Sequence, residues 1–279
     1  MAGLSALDGP ILELSVTGKP YANVLYPQFP PSEDICADEL VAIAESAAEA
    51  GFHRIILTGT EPLLRADILD ICYDIGRLRD YNEFGISTGG AQLRSISAAL
   101  KGTGVGLLEI RLDTLQKVKY EFLGGGKLGS VLKGISAAEK IGFLIRIMTR
   151  LIGGVTDDEI YDFTDIIKRR CFEQWFIELP HGSEGFIPAD RVLSVRPGLS
   201  LYDRRDGVRR YRIKGDTGRI CLASPEGMNR VRVASDGRLF SDGKTVNLRE
   251  LSGQALTAAL KKTLEPSPGI GFDFTIVEE

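Results

Sequence analysis

Cysteine is scarce in this 279-residue chain, and its four copies, Cys36, Cys72, Cys171 and Cys221, lie far apart. No two stand in C-x-x-C spacing, so the usual sequence mark of a zinc or iron–sulfur site is missing. The four read as isolated small apolar residues in a reducing compartment. An excess of positive charge is also missing. With 34 Lys and Arg against 38 Asp and Glu, the net charge is −4, which gives no general attraction to nucleic acid or anionic lipid. No unbroken apolar run approaches the roughly 18 residues that cross a bilayer. The first residues, MAGLSALDGPILELSV, lack the basic start and apolar centre of a secretory signal. The expectation is a soluble, cytoplasmic protein with no membrane partner and no nucleic acid. What is present is apolar content: 43% of residues are hydrophobic, enough to bury a core without disulfides or metals. The length fits one large α/β domain, or one domain with an appended lobe.

Six apolar, strand-like runs follow one another: ILELSV from Ile11, RIILT from Arg54, EFGIST from Glu83, GLLEIRL from Gly106, FLIRIM from Phe143 and QWFIEL from Gln174. Helical patterns lie between them. Leu40, Ile43, Ala44 and Ala47 form one apolar stripe that stops at Gly51, and AAEKIG closes another at Gly142. In TDDEI, Thr156 and Glu159 have the spacing of a capping box ahead of a helix whose buried face is Ile160, Phe163 and Ile167. Strand–helix alternation predicts parallel strands joined by right-handed crossovers. Six units are too few for a full eight-stranded barrel; a partial barrel and a doubly wound sheet both fit, and in either the ligands bind beyond the carboxyl ends of the strands. After about Pro188 the pattern changes to Arg- and Gly-rich, short strand-like pieces. NRVRVASDGRLF reads as a hairpin with SDG at its turn, and a final helix is expected over 248–264.

The loops carry more specific features. LTGTEPLLRADI resembles L-T-G-G-E-P-L-L-R, ISTGG resembles T-T-N-G, EIRLDTL resembles R-x-S-L-D-x-L, and NRVRVASDGRLF resembles N-R-x-R-L-T-x-D-G-K-L. GISAAEKIGF and GVTDDEIYDF resemble the helices that flank the fifth strand. In this order, over nearly the whole chain, these segments resemble the GTP 3′,8-cyclase (MoaA) family, the radical-SAM enzymes that begin molybdenum-cofactor synthesis. The resemblance implies a partial (βα)6 radical-SAM-type TIM barrel over residues 1–187 and a small C-terminal α+β lobe over residues 188–279.

The departures bear on the chemistry. The family carries C-x-x-x-C-x-x-C after its first strand, where this chain has Pro20, Val24 and Pro27. Its second cluster uses C-x-x-C directly before N-R-x-R, where this chain has Pro225 and Met228, plus one later cysteine that falls in a shortened segment here. Proline and valine have no donor atom for iron, and a methionine thioether does not replace a cluster thiolate. The expectation is no 4Fe–4S cluster, no metal site and no radical chemistry.

The resemblance also implies where ligands would sit. Gly59, Thr60, Glu61, Pro62, Thr88 and Asp113 match the SAM-binding strand ends, with Thr60 in place of glycine. Lys19, Arg65, Arg146, Asn229, Arg230 and Arg232 match positions that hold GTP, whereas Trp175 replaces a cation. Read without the family, GTEP is a strand-to-helix turn with Pro62 at the first helical position and Glu61 at the helix dipole. The arginines are then solvated surface charges or pair with Asp113, Glu178 and Asp236. Arg146 in an apolar strand calls for either a cavity or a partner. His181, with Asp113 and Glu178, forms a weak catalytic set at the strand ends; His53 reads as structural, and DRRDGVRRYRIK as a solvated hairpin. The tail GFDFTIVEE reads as a strand or a contact with another chain. Three readings follow. The first is a cluster-free binder of a purine nucleotide or SAM-like metabolite, with GTP or SAM as ligand, or an accessory partner of an active radical-SAM enzyme, as hetero- or homo-oligomer. The second is a diverged barrel enzyme with new non-radical chemistry, and the third is a ligand-free scaffold.

Overall fold

A computed structural model describes residues 9–19, 34–78, 80–205, 207–225, 228–241 and 244–265. Pro20, Val24, Pro27 and the tail GFDFTIVEE lie outside the described residues. All six expected strands are present: β1 (Ile11–Thr17), β2 (Arg54–Gly59), β3 (Glu83–Thr88), β4 (Leu107–Arg111), β5 (Leu144–Leu151) and β6 (Glu173–Glu178). Each pairs in parallel with the next. Between them run α1 (Ala37–Ala50), α2 (Ile68–Gly76), α3 (Leu93–Gly102), α4 (Lys117–Phe122), α5 (Leu128–Ile141) and α6 (Ile160–Ile166). Both glycine stops hold: Gly51 and Gly142 adopt φ +109° and +86°, and their amides bond back to the last helical turns.

The rest of the chain comprises α7 (Asp190–Val195), β7 (Leu199–Arg205), β8 (Val208–Ile213), β9 (Arg219–Ala223), β10 (Arg230–Val233), β11 (Arg238–Ser241), β12 (Lys244–Asn247) and α8 (Gln254–Lys262). These strands do not build a sheet of their own. They join the barrel sheet at both edges, giving the order β12-β11-β10-β1-β2-β3-β4-β5-β6-β9-β8-β7. Because β10 runs parallel to β1 and β9 parallel to β6, eight consecutive strands are parallel and an antiparallel hairpin closes each wing. The fold is a partial α/β TIM-type barrel, and the expected C-terminal lobe is continuous with it. The SDG hairpin is β10–β11, with Gly237 at φ +85°.

Two local expectations fail. The single helix over 248–264 is a 3-10 turn, Leu248–Glu250, followed after Gly253 (φ +50°) by α8. The capping box at Thr156 is absent: the Thr156 hydroxyl bonds the Ile152 backbone, and Glu159 turns to the adjacent loop after β4 to accept from Thr114 Oγ1 and Leu115 N, each at 2.6 Å. Two short bonds from the neighbouring loop to a buried carboxylate outweigh one reciprocal bond at a helix start.

Side-chain alternation divides the sheet into two faces. Leu12, Leu14, Ile55, Leu57, Ile86, Leu108, Ile110, Ile145, Ile147 and Phe176 are buried in one apolar core with helical residues such as Ile43, Ala47, Ile71, Ile135 and Phe163. The alternate positions look inward, away from the helices. There the two wings meet: Met228, just ahead of β10, packs on the cluster of Met148, Trp175, Val208, Cys221 and Ala223.

Candidate functional site

The loop after β2 is held by its own backbone and side chains. Glu61 is 4% exposed. Its Oε1 accepts from Thr88 Oγ1 at 2.6 Å and Leu63 N at 3.2 Å, and its Oε2 from Gly89 N at 2.8 Å. Arg111 Nη2 stands 3.9 Å from the same carboxylate and donates to the carbonyls of Gly59 (2.9 Å, from Nη1) and Thr60 (2.7 Å). Pro62 opens a 3-10 turn over Pro62–Leu64 that Glu61 caps, so the turn reading of GTEP describes the local structure. The Thr60 hydroxyl donates to the Lys19 carbonyl at 2.7 Å and its amide to the Thr17 carbonyl at 3.1 Å, tying the exits of β1 and β2 together. The branched side chain thus has a tethering role that its sequence position alone does not disclose.

The inner face below this loop is an ionic network. Arg230 donates to Glu13 and, at 2.8 and 3.1 Å, to Glu109; Arg232 Nε donates to Glu13 at 2.7 Å. Arg146 donates to Glu83 at 2.7 and 3.1 Å and to Glu173 at 2.9 Å, and lies 3.6 Å from Glu109. Arg54 joins Glu83 at 3.0 and 3.2 Å. Burial pushes the Glu13 carboxyl up, but Arg230 and Arg232 outweigh it and hold it at about 2. The same opposition, with Arg146 and Arg54 prevailing, holds Glu83 at about 2. Arg146 and Arg230 are raised despite burial, because carboxylates surround them.

Three of the six expected nucleotide-binding residues therefore meet carboxylates on neighbouring and facing strands. Their partners are not Asp113, Glu178 or Asp236, which serve elsewhere. Arg65 donates to Asp67 at 2.7 and 3.1 Å and to the carbonyls of Val16 and Ile35 at 2.5 and 3.0 Å, a structural bridge. Lys19 is exposed, 3.8 Å from Asp34. The exposed Asn229 accepts the Ile11 amide at 2.9 Å through its carbonyl and so starts the β1–β10 pairing. Sequence reasoning missed Glu13, Glu83, Glu109 and Glu173. Their signal was acids at inward places: Glu13 and Glu109 interrupt apolar runs, and Glu83 and Glu173 open their strands. Aligned on L-D-x-L, the motif R-x-S-L-D-x-L puts Glu109 at the arginine place and Arg111 at the serine place.

The weak catalytic set is not assembled. Asp113 accepts from Arg150 N at 2.9 Å and from its guanidinium, Glu178 accepts from Ala189 N at 2.5 Å, and the exposed His181 ring lies tilted against Phe186 with centroids 5.0 Å apart. Where the wings meet, a cavity of about 20 Å³, the room of one water, lies among Ile11, Arg54, Trp175, Val208, Met228 and Arg230. Cys221 is buried beside it, and burial pushes its thiol well up. Trp175 Nε1 donates to Glu173 at 3.1 Å, and its ring lies 5.5 Å from the Arg146 guanidinium.

Residues 20–167 match the model of the Radical SAM superfamily. The chain is 34% identical over 254 residues to a GTP 3′,8-cyclase of Peptoclostridium acidaminophilum, covering 82% of this chain and 78% of that protein. It is 30% identical over 268 residues to a GTP 3′,8-cyclase of Limosilactobacillus fermentum, covering 87% and 81%. Among solved structures, Streptococcus suis SuiB bound to S-adenosylmethionine superposes with a TM-score of 0.63 at 13% identity, over 91% of this chain and 66% of that one, a likeness of fold.

Proposed function

This chain belongs to the GTP 3′,8-cyclase family of radical SAM proteins, and from that premise we propose that it is a cluster-free member that keeps the barrel as an accessory protein. A 4Fe–4S cluster needs cysteine thiolates. The sequence offers Pro20, Val24 and Pro27 at one cluster and Pro225 and Met228 at the other. The residues present do not fit the group. Met228 instead packs in an apolar cluster with Trp175 and Cys221.

The observation that carries the reading is the ionic closure of the inner face. A triphosphate is recognised by guanidiniums free to fork onto its oxygens. Here Arg146 and Arg230 already meet buried carboxylates, with 9% and 6% of their side chains exposed. An incoming polyanion would face Glu13, Glu83, Glu109 and Glu173 as well as the arginines. Glu61 is likewise occupied by three donors, which disfavours the SAM-like ligand. The surface outside the barrel is then left as the working part.

Anaerobic reconstitution with iron and sulfide tests this. Bound iron far below stoichiometric, no absorbance near about 400 nm, and no 5′-deoxyadenosine from SAM plus a strong reductant are expected. GTP, ATP and SAM up to about 1 mM are expected to leave the melting temperature unchanged. A stoichiometric cluster that cleaves SAM overturns the proposal. A ligand-dependent rise in melting temperature favours the small-molecule reading instead.

A further inference from the structure

Helix α4 carries two large apolar side chains that the protein leaves in water. Phe122 is 89% exposed and Val118 79%, four residues apart on one side of the helix. This exposure does not come from a frayed element. Tyr120, on the opposite side, is buried, and Lys119 Nζ bonds Asp158 at 2.7 and 2.9 Å, Glu159 at 3.2 Å and the Val155 carbonyl at 3.0 Å. Buried Glu159 in turn accepts from Thr114 and Leu115, in the loop that leads from β4 into α4. The helix is fastened at the carboxyl end of β4, beside the mouth of the barrel, and presents Val118 and Phe122 outward.

Next to it, between α4 and the start of α5, lies a hollow of about 420 Å³ whose walls include Lys117, Lys127, Ser130 and Lys133. Lys117 lies 3.9 Å from Glu121, and among the described residues Lys127 and Lys133 have no carboxylate within ion-pair reach. On a molecule of net charge −4, three lysines against one glutamate make a local patch of opposite sign. We propose that this α4–α5 groove docks an acidic segment of a partner protein, which sets an apolar side chain against Phe122 and Val118 while its carboxylates meet Lys127 and Lys133. The lysine-walled hollow beside Phe122 and Val118 suits the carboxylates of a narrow projecting segment and not a flat bilayer. The proposal deepens the accessory reading by naming the chemistry of the partner.

The experiment titrates the full-length protein with a fluorescently labelled peptide of Asp and Glu around a central Leu-Phe pair, read by anisotropy at low salt. Saturable binding is expected, weakening as salt rises because the charge pairs are exposed. Lys127→Glu with Lys133→Glu is expected to lower affinity at least about tenfold, and Phe122→Ser about fivefold. All three residues are exposed, so an unchanged thermal melt verifies the fold of the variants. The proposal is overturned by any of four results: no saturation at about 1 mM peptide, equal binding of the Asn/Gln version, binding indifferent to the substitutions, or binding to phosphatidylserine vesicles without binding of the peptide. Concentration-dependent dimerisation abolished by Phe122→Ser also overturns it, in favour of a second copy as occupant. Iron loading reads the barrel and the titration reads only this surface, so either can fail while the other stands.

Discussion

Arg230 illustrates how a residue's neighbours decide its work. From the sequence, Arg230 and Arg232 alternate on one strand and point to one face, which is correct, and such a pair suits a phosphate. The face they share also holds Glu13 and Glu109. Removing Arg230 leaves buried Glu13 with Arg232 and buried Glu109 with Arg146 at 3.6 Å, so Arg230→Ala is expected to destabilise the protein by up to about 3–5 kcal/mol in urea unfolding. Arg232→Ala, with 29% of the Arg232 side chain exposed, is expected to cost about 1 kcal/mol. Equal small losses at both positions would show that the network carries little of the stability. The acids were legible in part: Arg146 within FLIRIM announced a need for a partner, and Glu13 within ILELSV and Glu109 within GLLEIRL break apolar runs in the same manner. Which acid meets which arginine was not legible, because it depends on how far the sheet curls.

Elements were easier to read than their ends. Six strands, the Gly51 and Gly142 stops and the β10–β11 hairpin all follow from local periodicity and turn chemistry. The capping box at Thr156 and the unbroken terminal helix failed because distant donors, for Glu159, and a positive-φ glycine, at Gly253, overrode local spacing. At the β2 exit, Gly59 has φ +133° and a Cβ built there would stand 2.4 Å from the Thr17 carbonyl oxygen. Gly59→Ala is therefore expected to cost at least about 2 kcal/mol and to loosen amide exchange in the β1 and β2 exits. Gly102→Ala, at the end of α3 with nothing within 4 Å, is expected to be neutral or to stabilise by up to about 1 kcal/mol. A neutral Gly59→Ala would mean that the two loops are not held as closely as described.

For the whole molecule, the inner charges set the response to acid. Glu13 and Glu83 are held at about 2, below their usual 4.5, and Glu173 is also lowered. Groups depressed in the folded state contribute fully above the unfolded value. That contribution is lost as pH falls from about 4.5 toward 2. Melting temperature is expected to drop steeply across this window, and Glu13→Gln is expected to flatten the drop at a lower overall stability. A wild-type profile flat down to about pH 2.5 would contradict it.

The pairing of β1 with β10 sets an order of events during synthesis. Glu13 leaves the ribosome 217 residues before Arg230, the first of the two cations that cover it. Until then β1 has one open edge and an uncompensated acid at the heart of the barrel. A nascent chain halted near residue 190 should consequently be a client for chaperones, and the barrel can lock only once Arg230–Val233 have emerged.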